Sequence, residues 1–253
     1  MQRWAGKLAV VTGASSGIGA AIVRDLVKNG VNVVGIARRD NNVKVLSEEM
    51  KGAKGKIYPL KADLEKEEDI VESFKWIESN LKTPVHILVN NAGLSILGDT
   101  VDGKMKDWQK MFNVNVLAVG TCIREHLNSM KQHNVNDGHI IDICSIVGHR
   151  VIDFPGFYVY TATKHAVKVI TEGVRQELLR DGSHTKITTV SPGYVSTELF
   201  AQAGAYSQQS ASALDVLPHL QAPDVSNAVI YALSLPQHVR VHDLTIQATS
   251  EKF

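Results

Sequence analysis

Tyr160 and Lys164 lie four residues apart in a stretch whose spacing predicts a helix, so their side chains share one face. A tyrosine hydroxyl ionises near pH ~10, too high for a good base at neutrality, and a cation within ~4–6 Å lowers that value by ~1–3 units. A phenol tuned in this way can exchange a proton with an alcohol or a carbonyl. Ser145 follows the apolar run Ile140-Ile141-Asp142-Ile143-Cys144 and stands at a strand end, where it can donate a hydrogen bond to a substrate oxygen. Asn115 falls inside a long helical stretch, although asparagine competes there for backbone hydrogen bonds. It is the residue type that can hold a helix backbone open and anchor a water near Lys164. By spacing alone Tyr-x-x-x-Lys is common, and its weight comes from what precedes it in the chain.

What precedes it is a nucleotide-binding pattern. The apolar run Leu8-Ala9-Val10-Val11 predicts a buried strand, and Ala20 to Leu26 carries apolar residues at helical spacing. Between them stands Thr12-Gly13-Ala14-Ser15-Ser16-Gly17-Ile18-Gly19. Gly13 permits a bend that a Cβ would resist, Gly17 lets a phosphate approach, and Gly19 lets the helix lie close on the strand. Free amides and the positive helix end then face an anion. The second strand, ending at Ala37, runs into Arg38-Arg39-Asp40. An acidic residue at this place accepts from the ribose hydroxyls of NAD, whereas guanidinium groups suit the 2′-phosphate of NADP. NADP is therefore the expected cofactor, with Asp40, one place late, as the route to NAD. Asp63, in Ala62-Asp63-Leu64, is expected to cap the following helix and to contact the adenine.

These residues are positioned by strand and helix alternating along the chain. Strands are predicted near 56–61, 85–89, 139–144, 185–190 and 241–247, and helices near 42–51, 65–80, 104–132, 158–180 and 224–235. Such alternation without a linker or repeat predicts an α/β fold, a single-domain Rossmann-like doubly wound parallel sheet of about seven strands flanked by helices. Residues 1–253 form one domain in this reading, a cofactor half over about 1–145 and a catalytic and substrate half over about 145–253. The small-residue-rich segment at about 194–220 is expected to be a lid. In such sheets ligands bind beyond the carboxyl ends of the strands, where Gly13 to Gly19, Arg38, Asp63, Asn90, Ser145 and Pro192-Gly193 all fall.

Composition narrows the function. A formal net charge of +1 removes the electrostatic case for nucleic acid or an anionic membrane. No apolar run reaches the ~18 residues of a membrane span, and the N-terminus leads straight into the first strand, so a cytoplasmic location is expected. Cys122 and Cys144 make neither a disulfide framework nor a zinc spacing, and no metal site is expected. Trp4, Trp76 and Trp108 are expected in packing, and His149 on a surface loop.

Taken together, the residues resemble the short-chain dehydrogenase/reductase family over nearly the whole chain. Thr12 to Gly19 resembles its cofactor turn, Asn90-Asn91-Ala92-Gly93 its central-strand motif, and Asn115, Ser145, Tyr160 and Lys164 its catalytic tetrad. Pro192-Gly193 with Val195 and Thr197 resembles the stretch that contacts the nicotinamide amide and pyrophosphate. The resemblance implies a tyrosine acid/base, a lysine that lowers its pKa and holds the nicotinamide ribose, a serine that positions substrate, and an asparagine that completes a proton relay. It also implies NADP contacts from Ser15, Ser16, Ile18, Arg39, Leu64, Asn91 and Ala92. Tyr158 competes for the tyrosine role, but only Tyr160 has a lysine four residues on.

The Ser145 to Tyr160 gap is longer than the family's commonest spacing, and the chain ends soon after the last strand. Both features, with Cys144-Ser145-Ile146-Val147-Gly148-His149-Arg150, resemble the subgroup of dehydrogenase/reductase member 11 and insect farnesol dehydrogenases. That likeness implies a lipophilic alcohol or carbonyl as substrate, isoprenoid or steroid, and a homodimer or homotetramer built through the helices near 104 and 158. Val147, Phe154, Tyr194 and Leu199, with Leu94, Ser95, Ile96 and Ile146, are the expected substrate-pocket residues. Two other readings stand beside the oxidoreductase: a nucleotide-sensing protein without turnover, and an epimerase or dehydratase on the same fold.

Overall fold

The computed structural model describes residues 1–199 and 218–252. Seven strands form one parallel sheet in the order β3-β2-β1-β4-β5-β6-β7. They are β1 (Leu8–Thr12), β2 (Asn32–Ala37), β3 (Ile57–Lys61), β4 (Val85–Asn90), β5 (His139–Ile143), β6 (Lys186–Pro192) and β7 (Asp243–Ile246). The helices are α1 (Gly17–Lys28), α2 (Asp40–Glu49), α3 (Glu67–Leu81), α4 (Met105–Phe112), α5 (Ala118–Gln132), α6 (Tyr158–Arg180) and α7 (Ala222–Ser234). Strand order reverses between β1 and β4, which opens a crevice at their carboxyl ends.

Side chains on a strand alternate between faces, and both faces of this sheet are covered. Ala9 and Val11 of β1 join Ile22 and Leu26 of α1 and Val229 and Leu233 of α7 in one core. Leu8 and Val10 join Phe74 of α3, Ile123 of α5 and Val167 of α6 in the other. Trp4 is buried in the first core and donates its indole N–H to Leu233 O at 2.8 Å, the packing role expected of it. A third apolar cluster lies beyond the sheet, where Met111, Ile146, Val147, Phe157, Val159 and Tyr160 meet Phe154 and Leu199.

The long helix expected near 104–132 is met by α4, a π-helical turn (Asn113–Leu117) that carries Asn115, and α5, which follow one another without a gap. One helix expectation is corrected. Helix α3 starts at Glu67, and Asp63 caps no helix. Asp63 instead closes a turn, with Oδ1 accepting from Glu65 N at 3.2 Å, while three acidic residues, Glu67, Glu68 and Asp69, occupy the first helical turn and favour its positive end. Of the expected lid, residues 200–217 lie outside the described residues. Among the described residues no helix is long and apolar enough to cross a membrane.

The amino-terminal end of the sheet carries an acid-sensitive group. His126 of α5 is fully buried, and neither ring nitrogen has a hydrogen-bond partner among the described residues. Burial, helped by His86, pulls its pKa down to about 3. The unfolded chain therefore takes up a proton near pH ~6.5 that the folded chain refuses, so stability falls as pH drops below that value. Between pH ~6.5 and ~5 the His126→Leu variant is expected to lose about 1–2 kcal/mol less stability than the native chain. Urea titrations across this range check it, and equal pH slopes for the two proteins would refute the assignment.

Candidate active site

Beyond the carboxyl ends of the strands lies a cavity of about 670 Å³. One end is the β1–α1 turn. Gly13 and Gly17 adopt φ of +66° and +54°, values that side-chain-bearing residues rarely take. A Cβ at Gly13 would stand 2.9 Å from Ala92 Cα, and one at Gly19 would run into the Gly13 carbonyl. The first helical position is Gly17, and the N-cap residue Ser16 makes no side-chain hydrogen bond to the amides of the first turn, which leaves N–H donors facing an anion. Ser15, Ser16, Gly17 and Ile18 line the cavity here.

The central-strand motif holds this turn in place. The Thr12 hydroxyl accepts from the backbone N of Asn91 and of Ala92, both at 3.0 Å, and Asn91 Nδ2 donates to Thr12 O at 2.9 Å. Asn90 Nδ2 donates to Asp142 Oδ1 at 2.8 Å, across the β4–β5 register that pairs the two residues. Thr171 Oγ1 donates to the other carboxylate oxygen at 2.7 Å, which supplies the partners a buried strand aspartate requires. Burial raises the Asp142 pKa against these two bonds.

At the end of β2, Arg38 and Arg39 line the cavity, as do Asp63 and Leu64 beyond β3. Arg39 donates to Ser16 Oγ at 3.1 Å and pairs with Glu198 at 2.7 Å. Asp40 is absent from the lining and pairs with Lys44 at 2.6 Å, so the place where an acidic residue serves NAD is held by arginines. Glycines that admit a close approach, uncapped amides and two guanidinium groups fit a nucleotide that carries an extra phosphate.

Ser145, Tyr160 and Lys164 line the same cavity. Ser145 leaves β5 with its Oγ accepting from Val147 N at 3.3 Å, the cap of a short 3-10 turn. Tyr160 and Lys164 sit in the first turns of α6, with the Lys164 ammonium 5.6 Å from the tyrosine ring centroid and donating to Ile143 O at 3.0 Å. Burial sets both groups: it pushes the Tyr160 phenol above its ordinary value and the Lys164 ammonium below its own. The direction is opposite to the one expected from the spacing: desolvation of the phenolate is the main cause, and the Cys144 thiol adds to it. Tyr158 is at the surface and donates to Asp153 at 3.2 Å, away from the role.

Asn115 is buried but absent from the cavity lining. Its amide donates to Leu94 O at 2.8 Å and to Thr163 Oγ1 at 3.1 Å, and its oxygen accepts from Leu94 N at 2.8 Å. The π-helical turn thereby ties the loop after β4 to the helix that carries Tyr160 and Lys164. Gly19 likewise acts behind the surface, by packing. Pro192, Gly193, Val195 and Thr197 line the cavity with Gly93, Asn91 and Ala92.

Of the expected substrate residues, Val147, Phe154, Tyr194 and Leu199 line the cavity, with Leu94 and Ile146. Ser95 and Ile96 do not, and Ile152 and Phe157 take that side instead. His149 is also off the lining and bonds Ser191 Oγ at 2.9 Å. Two lining carboxylates, Glu198 and Glu251, were not singled out from the sequence. Neither stands in a recognisable pattern, and no sequence signal marks them.

The family model described as short chain dehydrogenase matches residues 7–208. A farnesol dehydrogenase of Aedes aegypti is 46% identical over 100% of both chains. The human dehydrogenase/reductase SDR family member 11 is 44% identical over 99% of this chain and 97% of its own. Among solved structures, a serine dehydrogenase in its closed form, complexed with NADP+, superposes with a TM-score of 0.86 at 28% identity, covering 97% of this chain and 96% of that one.

Proposed function

The chain belongs to the short-chain dehydrogenase family of oxidoreductases, and on that footing we propose that it interconverts an alcohol and a carbonyl on a lipophilic substrate, with NADP(H) as the hydride carrier. One observation carries the reading. A single cavity runs from the Gly13–Ile18 turn and the two arginines, past Ser145, Tyr160 and Lys164, to an apolar wall of Ile146, Val147, Ile152, Phe154, Phe157 and Leu199. The NADP+ bound by the serine dehydrogenase and the farnesol named for the mosquito relative support the cofactor and the substrate class.

When bound, the nicotinamide group supplies hydride chemistry. The residues of the chain do the rest. Tyr160 gives a proton to the oxygen of a carbonyl being reduced, or takes one from an alcohol being oxidised. Its buried phenol, held in the protonated form, is suited to the first. Ser145 donates a hydrogen bond to the same oxygen. Lys164 places its positive charge beside the phenol and is the residue that would hold the ribose of the bound cofactor. Asn115 keeps the loop at Leu94 and helix α6 in register, and Gly13 to Gly19 with Arg38 and Arg39 binds the phosphates.

The experiment is titration with NADPH and NADH, followed by turnover of farnesal, a 17-ketosteroid and a short-chain aldehyde. Tighter NADPH binding and preference for the larger, apolar carbonyls support the reading. NADPH binding without turnover of any of the three would sink it and favour a nucleotide sensor.

The assembly belongs to the same proposal. Leu117, Val169 and Leu179 expose apolar side chains on the π-helical turn beside α5 and on α6, which supports a homodimer or homotetramer through these helices. Sedimentation equilibrium is expected to show an oligomer at micromolar concentration, and a monomer there would refute it.

A further inference from the structure

The C-terminal tail returns to the catalytic end of the cavity. After β7 it turns at Ala248–Glu251, with Glu251 N donating to Ala248 O at 2.9 Å. The Glu251 carboxylate then accepts from Tyr194 N at 2.9 Å and from Ala248 N at 3.3 Å. It lies directly on Gly193, where a Cβ would overlap its oxygens, so the glycine is needed for this contact. The β5–β6 register pairs Ile143 with Val190, which sets Pro192 beside Ser145, and Glu251 lines the same cavity as Ser145, Tyr160 and Lys164. Each carboxylate oxygen has two lone pairs, and each receives one backbone donor, so acceptor capacity remains for a ligand.

From this geometry we propose that Glu251 is a specificity-determining residue: a fixed negative charge at the reacting end of the cavity that rejects carbonyl or alcohol substrates carrying a carboxylate or phosphate and admits neutral ones. The inference rests on the reductase reading and narrows its substrate class. Ile146, Val147, Phe154 and Phe157 give the same cavity an apolar wall, along which the field of a carboxylate carries further than it would in water. Lys164 is the nearby cation that could offset it. Its ammonium is buried, donates to Ile143 O and stands by the Tyr160 ring, so it is engaged at the phenol.

The test compares methyl 4-formylbenzoate with 4-formylbenzoate, two aldehydes that differ chiefly in one charge. Their dissociation constants are measured by calorimetry with saturating NADP+, and their kcat/KM values with NADPH, for the native chain, Glu251→Gln and Glu251→Asp. Glutamine keeps an acceptor for Tyr194 N and removes the charge. The native chain is expected to favour the ester, and Glu251→Gln to raise the anion-to-ester ratio about tenfold in both readouts. Glu251→Asp, still charged, is expected to stay near the native ratio. Ratios are taken within each protein, so a general loss of folding or activity cancels. A native chain without preference, a ratio unmoved in Glu251→Gln, or an equal shift in Glu251→Asp would overturn the filter. Ester that binds and is not reduced would overturn the reductase reading instead, and the binding ratios would still judge Glu251.

Discussion

Tyr160→Phe is expected to bind NADPH with near-native affinity and to lower kcat about a thousandfold. The phenylalanine ring keeps the packing of the native side chain, whose centroid lies 4.6 Å from that of Phe157. Tyr160 is only 5% exposed, so no bulk water replaces the lost hydroxyl at the reacting oxygen. Proton transfer by a positioned side chain contributes about 10²–10⁴-fold, and this is the contribution that the variant removes. Stopped-flow reduction of an aldehyde by NADPH, beside fluorescence titration of the cofactor, measures both. A loss below about tenfold would show that another group carries the proton.

The second large effect concerns the cofactor. Arg38→Ala combined with Arg39→Ala is expected to weaken NADPH binding about a hundredfold and to leave NADH within a few-fold of its native affinity. A hydrogen bond from a charged donor to a phosphate contributes about 1.5–3 kcal/mol, so losing two partly exposed ones costs about 3 kcal/mol after screening. The contributions are expected to be unequal, because Arg39 already serves Glu198 and Ser16 whereas Arg38 faces the cavity at the end of β2. Arg38→Ala alone is therefore expected to carry the larger share. Equal losses for both nucleotides would mean that the arginines hold the turn and not the 2′-phosphate.

The Glu198 pair illustrates why some of the site escaped the sequence. Glu198 and Arg39 are far apart along the chain and meet only because β6 and β2 end at the same rim of the sheet. Glu251 reaches Gly193 through the return of the tail after β7, which no local pattern encodes. Asp142 is an anomaly when strand β5 is read by itself. The register that sets it opposite Asn90, and the α6 threonine behind it, make it a satisfied buried group. The raised pKa at Tyr160 is hidden in the same way, because spacing reveals a cation four residues on but not the burial of the phenol.

Features that act over a few residues were legible before any fold was known. These are the strand, glycine turn and helix at the N-terminus, the shared face of Tyr160 and Lys164, the alternation that makes a parallel sheet, and the two arginines after β2. Each follows from backbone freedom, side-chain period or charge within one or two elements. Which residues close on one another across elements was set by the assembled fold. It commits the Asn115 amide to Leu94 and Thr163, turns Asp40 away to Lys44, and brings Glu251 onto Gly193 in the cavity wall. The reason is physical: burial and strand register are properties of the assembled sheet, and they fix the partners and charges of a site that local sequence can only propose.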